Sequence, residues 1–245
     1  CCFLIDAAAK NSKKSALLSG ACWAFAMYSH QIGRPMAAVI LICFVLAFNL
    51  MLIRRWKVFT LFIASLIACL SPMIFSVINN PVSMTTRFST IVVWNNSAGI
   101  LETILRMLSR YVEYFSPSFL FISGDSDLRH NIHASGELFV FMSPFIIAGF
   151  YYALKKFRRD PYIRFLLFST AVYPLAACLT VDRMHSTRCL NGAPFWCLLF
   201  VLGIKHIYGL MNKRGWGKKL ALPLAAILTI EMFFYFYSYF DVYAV

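Results

Sequence analysis

The sequence predicts an all-α, polytopic membrane protein: a bundle of about seven spanning helices, with a long extracytoplasmic loop carrying an interfacial amphipathic helix. Three observations predict it. Hydrophobic residues fill 60% of the 245 positions and charged residues only 13%, with a mean hydropathy of +0.70. Soluble domains carry about 45–50% apolar and about 25% charged residues. Apolar runs close to the length of a bilayer crossing recur along the chain, and short basic clusters follow every second run.

In chain order, residues 1–9 read as the tail of a further span. The chain opens Cys1-Cys2-Phe3, with neither methionine nor a charged n-region, so it reads as a fragment of a longer protein forming one transmembrane domain over 1–245. Lys10, Lys13 and Lys14 precede a run at 15–30. A turn with Arg34 and Pro35 leads into 35–53, and Arg54, Arg55 and Lys57 separate it from 58–78. After a long loop at 79–135 comes 136–154, closed by Lys155, Lys156, Arg158 and Arg159. Runs at 162–180 and 194–211 follow, then Lys213, Arg214, Lys218 and Lys219, then a last run at 220–240. Basic short loops stay cytoplasmic, and seven spans put all four clusters on that side. The net charge of +13 is thus mostly a topology signal. The clusters are short, separated and juxtamembrane, which argues against nucleic acid as a partner.

The loop at 79–135 contains a helical pattern over 98–115. Ile100, Leu101, Ile104, Leu105, Leu108, Val112 and Phe115 make one stripe, with Glu102, Arg106, Arg110 and Glu113 opposite. Asn96 or Ser97 is placed to cap its start. Such a helix lies in the membrane interface and delivers the aromatic stretch from Phe115 to Ile122 to headgroup level.

The polar residues behind that stretch are the candidate site. Arg129 and His130 in one loop, and Arg183, His185 and Arg188 in the next, suit a lipid phosphate. A guanidinium fork grips phosphate bidentately, and histidine adds a donor or carries a proton near neutral pH. Asp125-Ser126-Asp127 has the Asp-x-Asp spacing that can hold a divalent cation such as Mg²⁺ or Mn²⁺, and it also fits an ordinary turn. No metal ligand is assigned on that basis, and a divalent cation is the candidate cofactor. The eight cysteines show no CxxC pair and read as small apolar residues. P-loop, nucleophile-elbow, zinc-protease and dinucleotide motifs are absent, as is Gly-x-x-x-Gly. Glu231, an acid inside the last run, reads as functional or as a pairing residue.

The block Tyr114-Phe115-Ser116-Pro117-Ser118-Phe119-Leu120-Phe121, then Gly124-Asp125, Leu128-Arg129-His130 and Gly136-Glu137-Leu138, resembles the central periplasmic segment of bacterial polyprenyl-phosphate-dependent GT-C glycosyltransferases. These are related to protein O-mannosyltransferases and the lipid A aminoarabinose transferase. Tyr28 with Arg34-Pro35, and Leu179-Thr180 with His185, Arg188 and Pro194, are similar as well. The resemblance implies transfer of a sugar from a polyprenyl-phosphate carrier to a glycan, lipid or protein acceptor outside a bacterial inner membrane. It implies that Arg129 and Arg188 stabilise the leaving phosphate, that His130 and His185 assist, and that Asp125 orients the loop. The family's acidic base lies in a first outer loop, which would precede Cys1, so the catalytic residue is unassigned. A lipid-carrier O-antigen ligase or polymerase also fits. A transporter or flippase would need more polar residues inside the spans than Asn49, Lys205 and Glu231.

Overall fold

A computed structural model describes residues 2–80, 99–125, 127, 129–132, 135–180, 184–213 and 217–243. Among these the regular secondary structure is helical throughout. Five segments are long and apolar enough to cross a membrane: Gly33–Arg54, Trp56–Asn79, Pro161–Cys178, Ser186–Asn212 and Leu222–Asp241. The chain is therefore an integral membrane protein of helical class. The other two apolar runs form shorter helices, Lys13–Ser29 with 17 residues and Ser143–Lys156 with 14. The backbone groups into two compact units, Cys1–Val92 and Val93–Val245.

The first unit holds α1 (Cys2–Lys10), α2 (Lys13–Ser29), α3 (Gly33–Arg54) and α4 (Trp56–Asn79). Asn11 takes a left-handed conformation (φ 57°) between α1 and α2, and the Ser12 side chain caps α2 by accepting from the Ser15 amide. Helix α2 lies tightly on α4. A Cβ on Gly20 would meet the Phe62 carbonyl oxygen at 2.6 Å, so only glycine allows this approach. Ser65 Oγ donates to the Leu17 carbonyl at 2.7 Å, and Trp23 Nε1 donates to the Ala37 carbonyl of α3 at 3.2 Å.

Pro72 sits inside α4. A proline there removes one amide donor and pushes the chain away from the carbonyl four residues earlier. The neighbourhood repairs both losses. Ser71 Oγ donates to the Ala68 carbonyl at 2.8 Å. The Tyr28 hydroxyl donates to the Cys69 carbonyl and accepts from the Met73 amide, each at 3.2 Å, so it bridges the next helical bond. Within a bilayer, unpartnered backbone groups cost several kcal/mol, which is why such a break needs side-chain partners.

The second unit holds α5 (Ile100–Glu113), α6 (Ser143–Lys156), α7 (Pro161–Val172), α8 (Leu175–Cys178), α9 (Ser186–Cys189), α10 (Ala193–Asn212) and α11 (Gly217–Tyr237). Asp160 caps α7, its carboxylate accepting from the Tyr162 and Ile163 amides, with Pro161 as the first helical residue. Helices α6 and α10 meet at two lone glycines. A Cβ on Gly203 would lie 1.7 Å from the Phe145 carbonyl oxygen, and one on Gly149 would lie 2.0 Å from that of Leu199. The close-packing signal is split between two helices, where no Gly-x-x-x-Gly search finds it.

Glu231 of α11 accepts from the amides of Val140 and Phe141, in the 3₁₀ turn that leads into α6. A carboxylate suits those unpaired amides and the positive end of the helix dipole. The acid inside the last run is thus a helix cap.

Candidate functional site

The predicted helix at 98–115 is α5, slightly shorter at Ile100–Glu113. Gly99 stands at its N-cap position, while Asn96 and Ser97 lie outside the described residues. Ile100, Leu101, Ile104, Leu105, Leu108 and Val112 are all exposed, and within the helix only Thr103 is buried. At 14 residues it is too short to cross a bilayer, since a helix rises about 1.5 Å per residue. Its polar side is tied down: Arg110 donates to the Thr180 carbonyl and Tyr111 donates to the Ala171 carbonyl at 2.6 Å. A cavity of about 540 Å³ lies against Leu105, Arg106, Ser109 and Arg110.

After α5 the chain folds back on itself. Ser118–Ile122 form a π-helical turn, and Glu137 and Leu138 return to donate to the Phe119 and Leu120 carbonyls at 3.2 and 2.8 Å. Gly136 makes this return possible, because a Cβ there would lie 2.3 Å from the Phe121 amide nitrogen. Gly124 has φ 64°, and its Cβ would fall 1.8 Å from Asn131 Nδ2. That amide spans the loop, donating to the Ser123 and Ser135 carbonyls at 3.0 and 3.1 Å. The predicted span at 136–154 therefore starts late. Residues 136–139 belong to the loop, a 3₁₀ turn covers Val140–Met142, and the helix begins at Ser143 with proline in its first turn.

Asp125 sits at the centre of this fold-back and is 1% exposed. Its Oδ1 accepts from the Asp127 amide at 2.9 Å, and its Oδ2 accepts from the Ser186 amide at 2.8 Å. The second bond crosses 61 residues and joins the loop to the start of α9. Two further links run beside it. The buried Tyr114 hydroxyl accepts from the His185 amide at 3.0 Å, and Tyr173 donates to the Tyr114 carbonyl. Burial raises the Tyr114 pKa, keeping the phenol neutral. Ser186 Oγ donates to Glu137 Oε1. Desolvation raises the Glu137 pKa, the Ser186 bond works against that, and the Asp125 charge adds to the rise.

Both predicted histidines reach this carboxylate. Nδ1 of His130 is 3.5 Å and Nδ1 of His185 is 3.9 Å from Asp125 Oδ2, and the two rings lie 4.6 Å apart between centroids. Asp127 has a different partner: Arg129 Nε and Nη2 grip its Oδ2 at 3.0 and 2.6 Å. The Arg129 side chain is 84% exposed, and its guanidinium holds the Asp127 carboxyl well below the usual carboxylate range. The Asp-x-Asp pair is therefore unequally engaged: Asp125 meets both imidazoles, whereas Asp127 is gripped by Arg129 and has only His130, at 3.9 Å, on its other side. Arg188 Nη1 donates to Thr180 Oγ1 at 2.6 Å, so Thr180 receives a guanidinium at its hydroxyl and that of Arg110 at its carbonyl. Arg183, with Asp182 and His133, lies outside the described residues.

Sequence reasoning missed Tyr114, Glu137 and Ser186 as parts of this cluster. Glu137 carried a usable signal, an acid at the head of a presumed span directly after glycine. The described cysteines, Cys2, Cys22, Cys43, Cys69, Cys178, Cys189 and Cys197, are free thiols. No family model, curated protein or solved structure matches this chain.

Proposed function

We propose that the protein is an integral-membrane glycosyltransferase, with about seven spans and cytoplasmic basic clusters, that moves a sugar from a polyprenyl-phosphate carrier to an extracytoplasmic acceptor. The observation that carries this reading is the junction of residues 114–138 with the start of α9. There a buried carboxylate, two imidazoles and Glu137 gather beside arginines, behind a helix with an exposed apolar stripe. The same residues carry the resemblance to GT-C enzymes.

In this reading the acceptor hydroxyl attacks the anomeric carbon. The new carbon–oxygen bond forms as the bond to the lipid phosphate breaks, the phosphate keeps the electron pair, and the hydroxyl proton passes to a carboxylate base. Charge grows on the phosphate, and preorganised cations lower that barrier. Arg188 and Arg110, both fixed at Thr180, are suited to this, and the open cavity on α5 offers room for a headgroup. Engagement of Glu231 as a helix cap weakens the transport alternative, because it occupies one of the few polar groups inside the spans.

The test is transfer from a radiolabelled polyprenyl-phosphate sugar by the full-length protein in proteoliposomes. Transfer by the wild type, lost in Arg188→Lys although the protein folds, supports the reading, since lysine does not reproduce a planar fork. A wild type that neither transfers from nor binds such a donor overturns it. Impermeant labelling of single cysteines placed at 126 and 156 checks the orientation: only the first is expected to react from outside.

A further inference from the structure

Asp125, His130 and His185 have a geometry that the phosphate-handling role leaves unexplained. One ring nitrogen from each histidine and one Asp125 oxygen lie within 4.8 Å of one another. The 3.5 and 3.9 Å separations from Asp125 Oδ2 are longer than good hydrogen bonds, which fall at about 2.7–3.2 Å. The three donor groups thus stand close together, with each imidazole farther from the carboxylate than a short hydrogen bond. Ligands at about 2.0–2.1 Å around a tetrahedral ion stand roughly 3.3 Å apart, so small side-chain rotations bring this set into range.

We infer that Asp125, His130 and His185 form a binding site for a Zn²⁺-class transition-metal ion, which ties the 114–138 loop to the start of α9. The donor set selects the metal. Imidazole suits zinc, cobalt, nickel or iron, whereas Mg²⁺ and Ca²⁺ take oxygen donors. The hard-cation alternative, a site on Asp125 and Asp127 together, loses its second carboxylate to Arg129.

The carboxylate is already oriented for the task. Each Asp125 oxygen accepts one backbone amide and keeps a lone pair for another partner. Ser186 reinforces the arrangement, its amide holding Asp125 while its hydroxyl holds Glu137. Such outer partners fix a ligand's direction and sharpen affinity. Thr187 Oγ1 lies 3.0 Å from His185 Nδ1 and competes with the ion for that nitrogen, so the hydroxyl must turn away on binding. Three protein ligands leave a fourth position open to water or an anion. One carboxylate and two neutral imidazoles leave a divalent ion with net positive charge, which favours an anionic fourth ligand.

The inference does not depend on the transferase reading, and its test reads metal rather than turnover. The full-length protein in nanodiscs is stripped with a chelator, titrated with Zn²⁺ and, separately, with Co²⁺, then desalted. One equivalent per chain is expected, with the visible absorption of a four- or five-coordinate Co²⁺ site. His130→Ala and His185→Ala should each weaken Zn²⁺ binding more than about 100-fold, beyond the 10–100-fold typical of losing an outer partner. His206→Ala, which removes a histidine packed on Tyr152, should bind like the wild type, and Thr187→Val should bind at least as tightly. Wild-type protein without stoichiometric metal overturns the site, and this measurement needs no variant to fold. So does full retention in the double variant H130A/H185A, or displacement of Zn²⁺ by millimolar Mg²⁺.

Discussion

The Pro72 break in α4 and the Asp125 junction answer the same demand in different ways. Both are places where regular backbone hydrogen bonding stops and side chains take over. At Pro72 the repair is neutral: one hydroxyl from Ser71 in the same turn, and one from Tyr28 on α2, go to backbone groups. At Asp125 the repair is ionic and reaches across 61 residues. The carboxylate holds two amides and still faces two imidazoles. A hydroxyl donates one proton and is largely occupied by such a repair, whereas a carboxylate has about four acceptor sites. A structural device built on a carboxylate therefore has capacity left for chemistry.

Substitutions can break this comparison. Asp125→Asn should have the largest effect, because an amide group must replace a buried acceptor beside two backbone donors. A loss of about 2–4 kcal/mol is expected, read as a lowered unfolding midpoint in detergent and faster proteolysis between 114 and 138. Gly124→Ala should follow, at about 1–3 kcal/mol, because alanine is strained at positive φ and its methyl group collides with Asn131. Tyr28→Phe removes the bridge over the α4 break and should cost about 1–2 kcal/mol; hydrogen exchange should quicken at the Met73 amide while the second unit keeps its protection. If Tyr28→Phe destabilised the protein as much as Asp125→Asn, the contrast between the two repairs would collapse. The smallest effect should come from Asp127→Asn or Arg129→Gln. The arginine of that pair is exposed and the aspartate half-buried, and pairs so open to solvent add little. An unchanged unfolding midpoint is the expected result, and a large drop would place Asp127 in the junction with Asp125.

The helix α5 was legible as an amphipathic segment because its signal is periodic and local, and the structure trims it by two residues at each end. The five long apolar helices were legible for the same reason. The site was legible only as residue types. His130, His185 and Asp125 stood out as candidates, yet nothing in their spacing showed that both rings would face one carboxylate. The Asp-x-Asp spacing suggested a shared role for two carboxylates, but the fold gives Arg129 to Asp127 and His185 to Asp125, with His130 between them.

What the sequence by itself determined is therefore the five long apolar segments and the membrane class, since both follow from burial of apolar runs and from backbone bonds closed within each segment. Only the tertiary structure decided that Gly149 faces α10, that Glu231 caps the turn before α6, and that Asp125 joins Ser186. These contacts depend on directions that long-range packing sets, and a carboxylate carries no mark in the sequence of which distant amide or imidazole it will meet.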